Sequence, residues 1–143
     1  MQLFKVSANT AVFRDGKWLV LQRANTENFL AGYWETAGGG IEEEETIEDA
    51  ARRESREEAG IEIQNIEPYF CFMYRDGSGR PSINILVRAE WKSGEPIPQD
   101  GMAAVRWVTA DELAALQMTD EMRDALIRAF TSVRLGLTDR CEA

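Results

Sequence analysis

The chain has 143 residues, 44% of them hydrophobic, which suits one compact domain with a single real core. With 16 Lys and Arg against 25 Asp and Glu its formal net charge is -9, and it has no histidine. These numbers exclude bulk attraction to a nucleic-acid backbone or an anionic membrane, and with them His-based triads, His general bases and His-containing zinc sites.

The opening MQLFKVSANT is too short and mixed for a secretory signal, and no apolar run approaches membrane-spanning length, so the expectation is a cytoplasmic protein with no membrane partner. VSANTAVF and KWLVLQR flank Arg14-Asp15-Gly16 and read as a β-hairpin. Residues 24–33 read as a loop, and Gly38-Gly39-Gly40 lets backbone approach a ligand closely. A helix is expected from about Thr46, with Asp49 completing a cap, to Ala59, where Gly60 stops it. IEIQNIEPYFCFMYR contains strand, Asp76-Gly77-Ser78-Gly79 turns, and SINILVRAEW is a strong strand. Cys71 falls in this apolar run and is expected to be a buried free thiol; Cys71 and Cys141 lie far apart and form no CxxC. GEPIPQDG is a loop, AVRWV a short strand, Thr109–Leu113 opens a short helix, and a second helix covers roughly Asp120 to Phe130. The order predicts an α/β (α+β) fold with helices packed on a mixed sheet, as a single domain over 1–143 with a tail of unclear role after about 130.

The helix over Thr46–Ala59 raises a question of faces. At about 100° per residue, Glu54 and Glu58 each fall within about 20° of Ile47, inside the sector that also holds Ala50 and Ala51, while Arg52 and Arg56 face away. Glu57 lies at the rim of that sector. Carboxylates on an apolar face are costly unless partnered, and a hard divalent cation is one remedy. A solvated helix with i,i+4 pairs such as Arg53–Glu57 is the other reading, and periodicity alone leaves both open.

The residues before the helix extend the pattern to G39-x5-E45-x7-R53-E54-S55-x-E57-E58-x-G60-I61. This segment resembles the Nudix box, the signature of the Nudix hydrolase (MutT-like) family. Tyr33-Trp34-Glu35, Leu21-Gln22-Arg23 and Arg106-Trp107-Val108 before Asp111-Glu112-Leu113 are also similar to the family, so the resemblance covers most of residues 5–130. Three positions depart from it: Ser55 stands for an aliphatic residue, Ala37 for a proline and Glu44 for a glycine.

The resemblance implies a Nudix-type α/β/α sandwich and a Mg²⁺-dependent pyrophosphohydrolase, with Mn²⁺ as a substitute. Glu54, Glu57, Glu58 and the Gly38 carbonyl would be metal ligands, and Glu45 and Arg53 would pair to hold the loop on the helix. Gly39 would give the substrate room, and Arg23 would grip a terminal phosphate. The family's base is either a box glutamate, with Glu57 favoured and Glu54 as the alternative, or a loop acid, here Glu95 or Asp100. Phe29, Tyr33, Trp34 and Phe72 include candidates for stacking on a base. Glu42, Glu43 and Glu44 read as solvated.

The partner implied is a small nucleotide, with no nucleic-acid polymer; family habit adds a second copy as a homodimer. YWETAGGGIE resembles the triphosphate-cleaving branch, so the first expectation is a nucleoside triphosphate cleaved to monophosphate and pyrophosphate. ADP-ribose, nucleotide sugars and dinucleoside polyphosphates stand as alternatives. A catalytically silent Nudix ligand-binding module is argued against by the retained Glu54, Glu57 and Glu58. An unrelated acidic cation-binding domain leaves the glycine and Arg53 spacing unexplained.

Overall fold

A computed structural model describes residues 3–134, with side chains through Phe130. Cys141 lies outside the described residues. The chain opens with a hairpin, β1 (Lys5–Arg14) and β2 (Lys17–Arg23), turning through Asp15 and Gly16, both at positive φ. Then come two short strands, β3 (Trp34–Glu35) and β4 (Ala37–Gly40), and helix α1 (Ile47–Ala59). A long antiparallel pair follows, β5 (Glu62–Arg75) and β6 (Pro81–Ser93), and the described chain ends with β7 (Met102–Val108), α2 (Ala110–Leu113) and α3 (Asp120–Arg134). Helix α3 continues four residues beyond the expected end at Phe130.

One mixed sheet of seven strands results. Strand β1 runs parallel to β6, from Lys5 opposite Ser82 to Phe13 opposite Glu90, and all other pairs are antiparallel. The edge of β1 away from β6 is shared. Near the turn it pairs with β2, at Phe13↔Trp18, and further back β4 takes that edge, from Thr10↔Ala37 to Ser7↔Gly40. The glycine strand is thus wedged where β1 and β2 part.

Alternation along the strands gives the sheet two apolar faces. Trp18, Val20 and Leu86 turn to α2 and α3, where Leu113, Met122, Leu126 and Ala129 meet them. Leu19, Leu21, Val12 and Val87 turn the other way, toward Ala51 and Ala59 of α1 with Ile61 and Ile63. Helices therefore cover both faces, the expected α/β/α sandwich on a mixed sheet. Among the described residues no helix is long and apolar enough to cross a membrane.

Cys71 corrects an expectation: it is exposed, not buried. Phe70 and Phe72 turn toward α3, where Arg128 lies over the Phe70 ring at 4.3 Å. Period-2 alternation then sends Cys71 and Met73 to the opposite face, where Met73 is 61% exposed.

Candidate functional site

Helix α1 starts where Thr46 Oγ1 accepts a hydrogen bond from the Asp49 amide, and it stops at Gly60 in the left-handed conformation (φ 68°). Between these caps Arg53 gathers the preceding loop. Its Nε and Nη2 donate to the two Glu45 oxygens (2.8 and 2.9 Å), and Nη2 also donates to the Gly40 carbonyl (3.0 Å). Nη1 donates to Glu54 (2.7 Å) and Glu57 (3.3 Å). The fork–fork contact holds Glu45 well below the usual carboxylate range, at about 2, chiefly through hydrogen bonding from Arg53. The clamp and the i,i+4 pair coexist in one guanidinium.

The helix wheel proves accurate. Glu54 is 7% exposed and Glu58 5%, whereas Glu57 and Arg56 face outward. Burial raises the pKa of Glu54, opposed by Arg53 and reinforced by the charges of Glu57 and Asp100. Glu58 is pushed up to about 8, first by burial, with Glu35, Glu54 and Asp100 adding to it; the Gly38 N–H, donating to its Oε1 at 2.6 Å, works the other way. A Cβ on Gly39 would lie 2.6 Å from a Glu54 oxygen, so this glycine is what lets β4 pass the helix.

The loop acids separate. Ile97 and Gln99 donate backbone N–H groups to the carbonyls of Ala59 and Glu58, which brings Asp100 to the carboxylate cluster. Glu95 is drawn elsewhere. It pairs at 3.3 Å with Arg14, which itself stacks 3.7 Å above the Trp91 ring. Arg14 is five residues along β1 from Asn9, the partner of Gly38, or roughly 16 Å at ~3.3 Å per residue. The structure does not bring Glu95 to the site.

Arg23 has its guanidinium engaged by protein acceptors and also lines the cavity beside the cluster. Its Nε donates to the Phe29 carbonyl (2.7 Å) and Nη1 to Glu35 (3.0 Å), and Nη2 lies 3.5 Å from Glu27. Two of these acceptors, Phe29 and Glu27, make Arg23 a fastener of the 24–33 loop. Glu35, which sequence reasoning did not single out, is held between Arg23 and Glu58, and burial raises its pKa against the pull of Arg23.

A cavity of about 410 Å³ opens beside the cluster, on the α3 side of the sheet. Gly38, Gly39 and Glu35 form its wall toward α1, and Phe29, Tyr33, Trp34 and Phe72, all four stacking candidates, line it. So acids on one side of a glycine strand meet an aromatic-walled hollow on the other.

Residues 3–130 match the NUDIX domain family. The chain belongs to the Nudix family. This Nudix chain is 30% identical over 120 residues to "NAD-capped RNA hydrolase NudC" of Pseudomonas aeruginosa (strain LESB58), which covers 81% of the chain but 41% of that protein. It therefore spans about two fifths of the length of such relatives. It is 29% identical over 119 residues to "Nucleoside triphosphatase NudI" of Enterobacter sp. (strain 638), covering 76% of the chain and 84% of that protein. A MutT NUDIX hydrolase from Burkholderia pseudomallei superposes with a TM-score of 0.76 at 28% identity, covering 87% of this chain and 97% of the other.

Nudix membership implies a divalent cation, and the residues can be tested for it. Among the described residues no three Asp, Glu or Cys side chains converge as a ready-made coordination set. Glu54 and Glu57 lean on Arg53, and Glu58 on Gly38 N–H. The donors nonetheless fit a hard cation: the side-chain donors are all carboxylate oxygens, and two are buried, with pKa raised chiefly by loss of solvent. The fit is one of chemistry and place, and coordination would draw Glu54 and Glu57 off Arg53.

Proposed function

We propose that this chain hydrolyses a phosphoanhydride bond in a nucleoside diphosphate-X substrate, most readily a nucleoside triphosphate to monophosphate and pyrophosphate. The observation that carries it is the juxtaposition of Glu54, Glu57, Glu58 and Asp100 with an aromatic-walled cavity across Gly38 and Gly39. The length match to a nucleoside triphosphatase and the superposition on a MutT hydrolase favour the triphosphate.

In this reading Glu54, Glu57, Glu58 and the Gly38 carbonyl hold Mg²⁺, for which Mn²⁺ can substitute. When bound, the cation neutralises phosphate oxygens and acidifies the attacking water. The chain's own residues do the rest. Arg53 and Glu45 fix the loop on the helix, so the carboxylates are presented from one rigid surface. Glu57, the most exposed of the three, takes the water's proton, and Asp100 is the competing base. Gly39 leaves the diphosphate room against Glu54. The cavity takes the nucleoside part and excludes water from it.

A panel of purified protein with canonical and oxidised nucleoside triphosphates, ADP-ribose, nucleotide sugars, dinucleoside polyphosphates and NAD-capped RNA tests this, with phosphate or pyrophosphate release followed with and without chelator. Chelator-sensitive release from triphosphates is the expected result. Turnover of another class alone would keep the chemistry and replace the substrate. No turnover and no Mg²⁺-dependent thermal shift would leave a silent ligand-binding module.

A further inference from the structure

The cavity floor carries a polar feature that bond cleavage does not use. Strands β1 and β6 run parallel, each carrying a Ser-x-Asn, offset by two residues so that Ser7 stands opposite Asn84 and Asn9 opposite Leu86. Asn9 and Asn84 share the face that bears Ala11 and Leu86 further along, but here the face is open to the cavity. Both are buried, and Asn9 Nδ2 donates to Asn84 Oδ1 at 2.5 Å. The other two amide functions, Asn9 Oδ1 and Asn84 Nδ2, make no hydrogen bond with another described residue and keep some accessible surface in the cavity wall. Asn9 Oδ1 occupies the space that a Cβ on Gly38 would need, 2.1 Å away, so the pair abuts the glycine strand.

Two amides in a sheet core are costly unless their remaining functions are met. Paired with each other in either orientation, they leave one whole amide NH₂ and one whole amide oxygen as neighbours, besides the second N–H of the paired nitrogen. Tyr33, Trp34 and Phe72 stand around them. Flat apolar walls over an adjacent donor and acceptor suit the hydrogen-bonding edge of a nucleobase.

We propose that Asn9 and Asn84 read the edge of the substrate's base, and that Asn84 is the specificity-determining residue of this chain. The inference rests on the nucleotide reading above and deepens it. Asn84 donates from Nδ2 to a base acceptor, and Asn9 Oδ1 accepts from a base donor.

The test is calorimetric binding of adenosine, guanosine, cytidine and uridine monophosphates to the full chain in chelator, where no turnover is needed. Asn84→Leu is expected to weaken binding of the preferred monophosphate roughly 10- to 100-fold. Asn84→Asp leaves two adjacent acceptors, and the ranking is expected to shift toward guanosine monophosphate, whose N1–H and N2–H₂ are adjacent donors. A ligand-side arm on the parent protein uses the preferred monophosphate methylated at its hydrogen-bonding edge, with a comparable loss expected; this arm does not depend on the variants folding. Parent-like ranking within about twofold in both variants, tight binding of the edge-methylated analogue, or no binding of any monophosphate overturns the proposal. Chelator-sensitive turnover with base-indifferent binding sinks this inference alone. Asn84-dependent binding without any turnover sinks the hydrolase reading alone.

Discussion

Arg53 is the residue on which the site turns, because one guanidinium serves Glu45, Gly40, Glu54 and Glu57 together. Around it, each carboxylate's role follows from its exposure. Glu57 is the outermost and takes only the longest of the Arg53 contacts, so Glu57→Gln is expected to lower turnover on the order of 10²- to 10⁴-fold with little change in melting temperature. Near-parental turnover of the purified variant at saturating Mg²⁺ would remove Glu57 from the chemistry. Cys71 is exposed on the face of β5 away from Phe70 and Phe72, hence Cys71→Ser should leave both activity and stability within experimental error. A large loss of activity in a folded variant would show that this face contributes to the site.

Among the elements, α1 was the most legible from sequence. Its cap follows from Thr46 and Asp49, its stop from Gly60 and its acidic sector from 3.6-residue periodicity, and the structure reproduces each. Legibility ended where function depends on which strands become neighbours. Glu95 and Asp100 are five residues apart in one loop, and nothing local tells which end meets α1. The polar floor did leave a trace: Ser-x-Asn recurs on two core strands, a period-2 polar face where core was due. Its meaning needs the parallel pairing that sets the two motifs side by side. Ser55, flagged as a departure from the family pattern, is fully buried, and its Oγ finds no partner. A buried unmet hydroxyl is unfavourable, so Ser55→Ala is expected to stabilise the fold by about 1 kcal/mol, read from denaturant unfolding. Destabilisation would mean that the hydroxyl's volume matters more than its hydrogen bonding.

The whole molecule carries -9, yet its site concentrates rather than dilutes that charge. Part of the fold's pH dependence then belongs to the Arg53 clamp. Glu45 titrates lower in the folded chain, at about 2 against an ordinary 4.5, so its contribution is full above about pH 4.5 and is lost as pH falls toward 2. Glu45→Gln should therefore destabilise the protein by about 1–3 kcal/mol at neutral pH, and the deficit should shrink through that window. A deficit independent of pH would show that the clamp acts by packing and not by charge.

The one parallel seam among the described strands, β1 against β6, joins segments some 75 residues apart, as the Asn9–Asn84 contact records. Each strand can first form with its own hairpin partner, β2 or β5, and α1 can form from its own caps. The cavity floor exists only once the seam closes, and closing so long a loop is slow. The capacity to bind should therefore be the last property the chain acquires during refolding. In stopped-flow experiments helical ellipticity is expected to recover before nucleotide binding, and simultaneous recovery would place the seam in the earliest folding step.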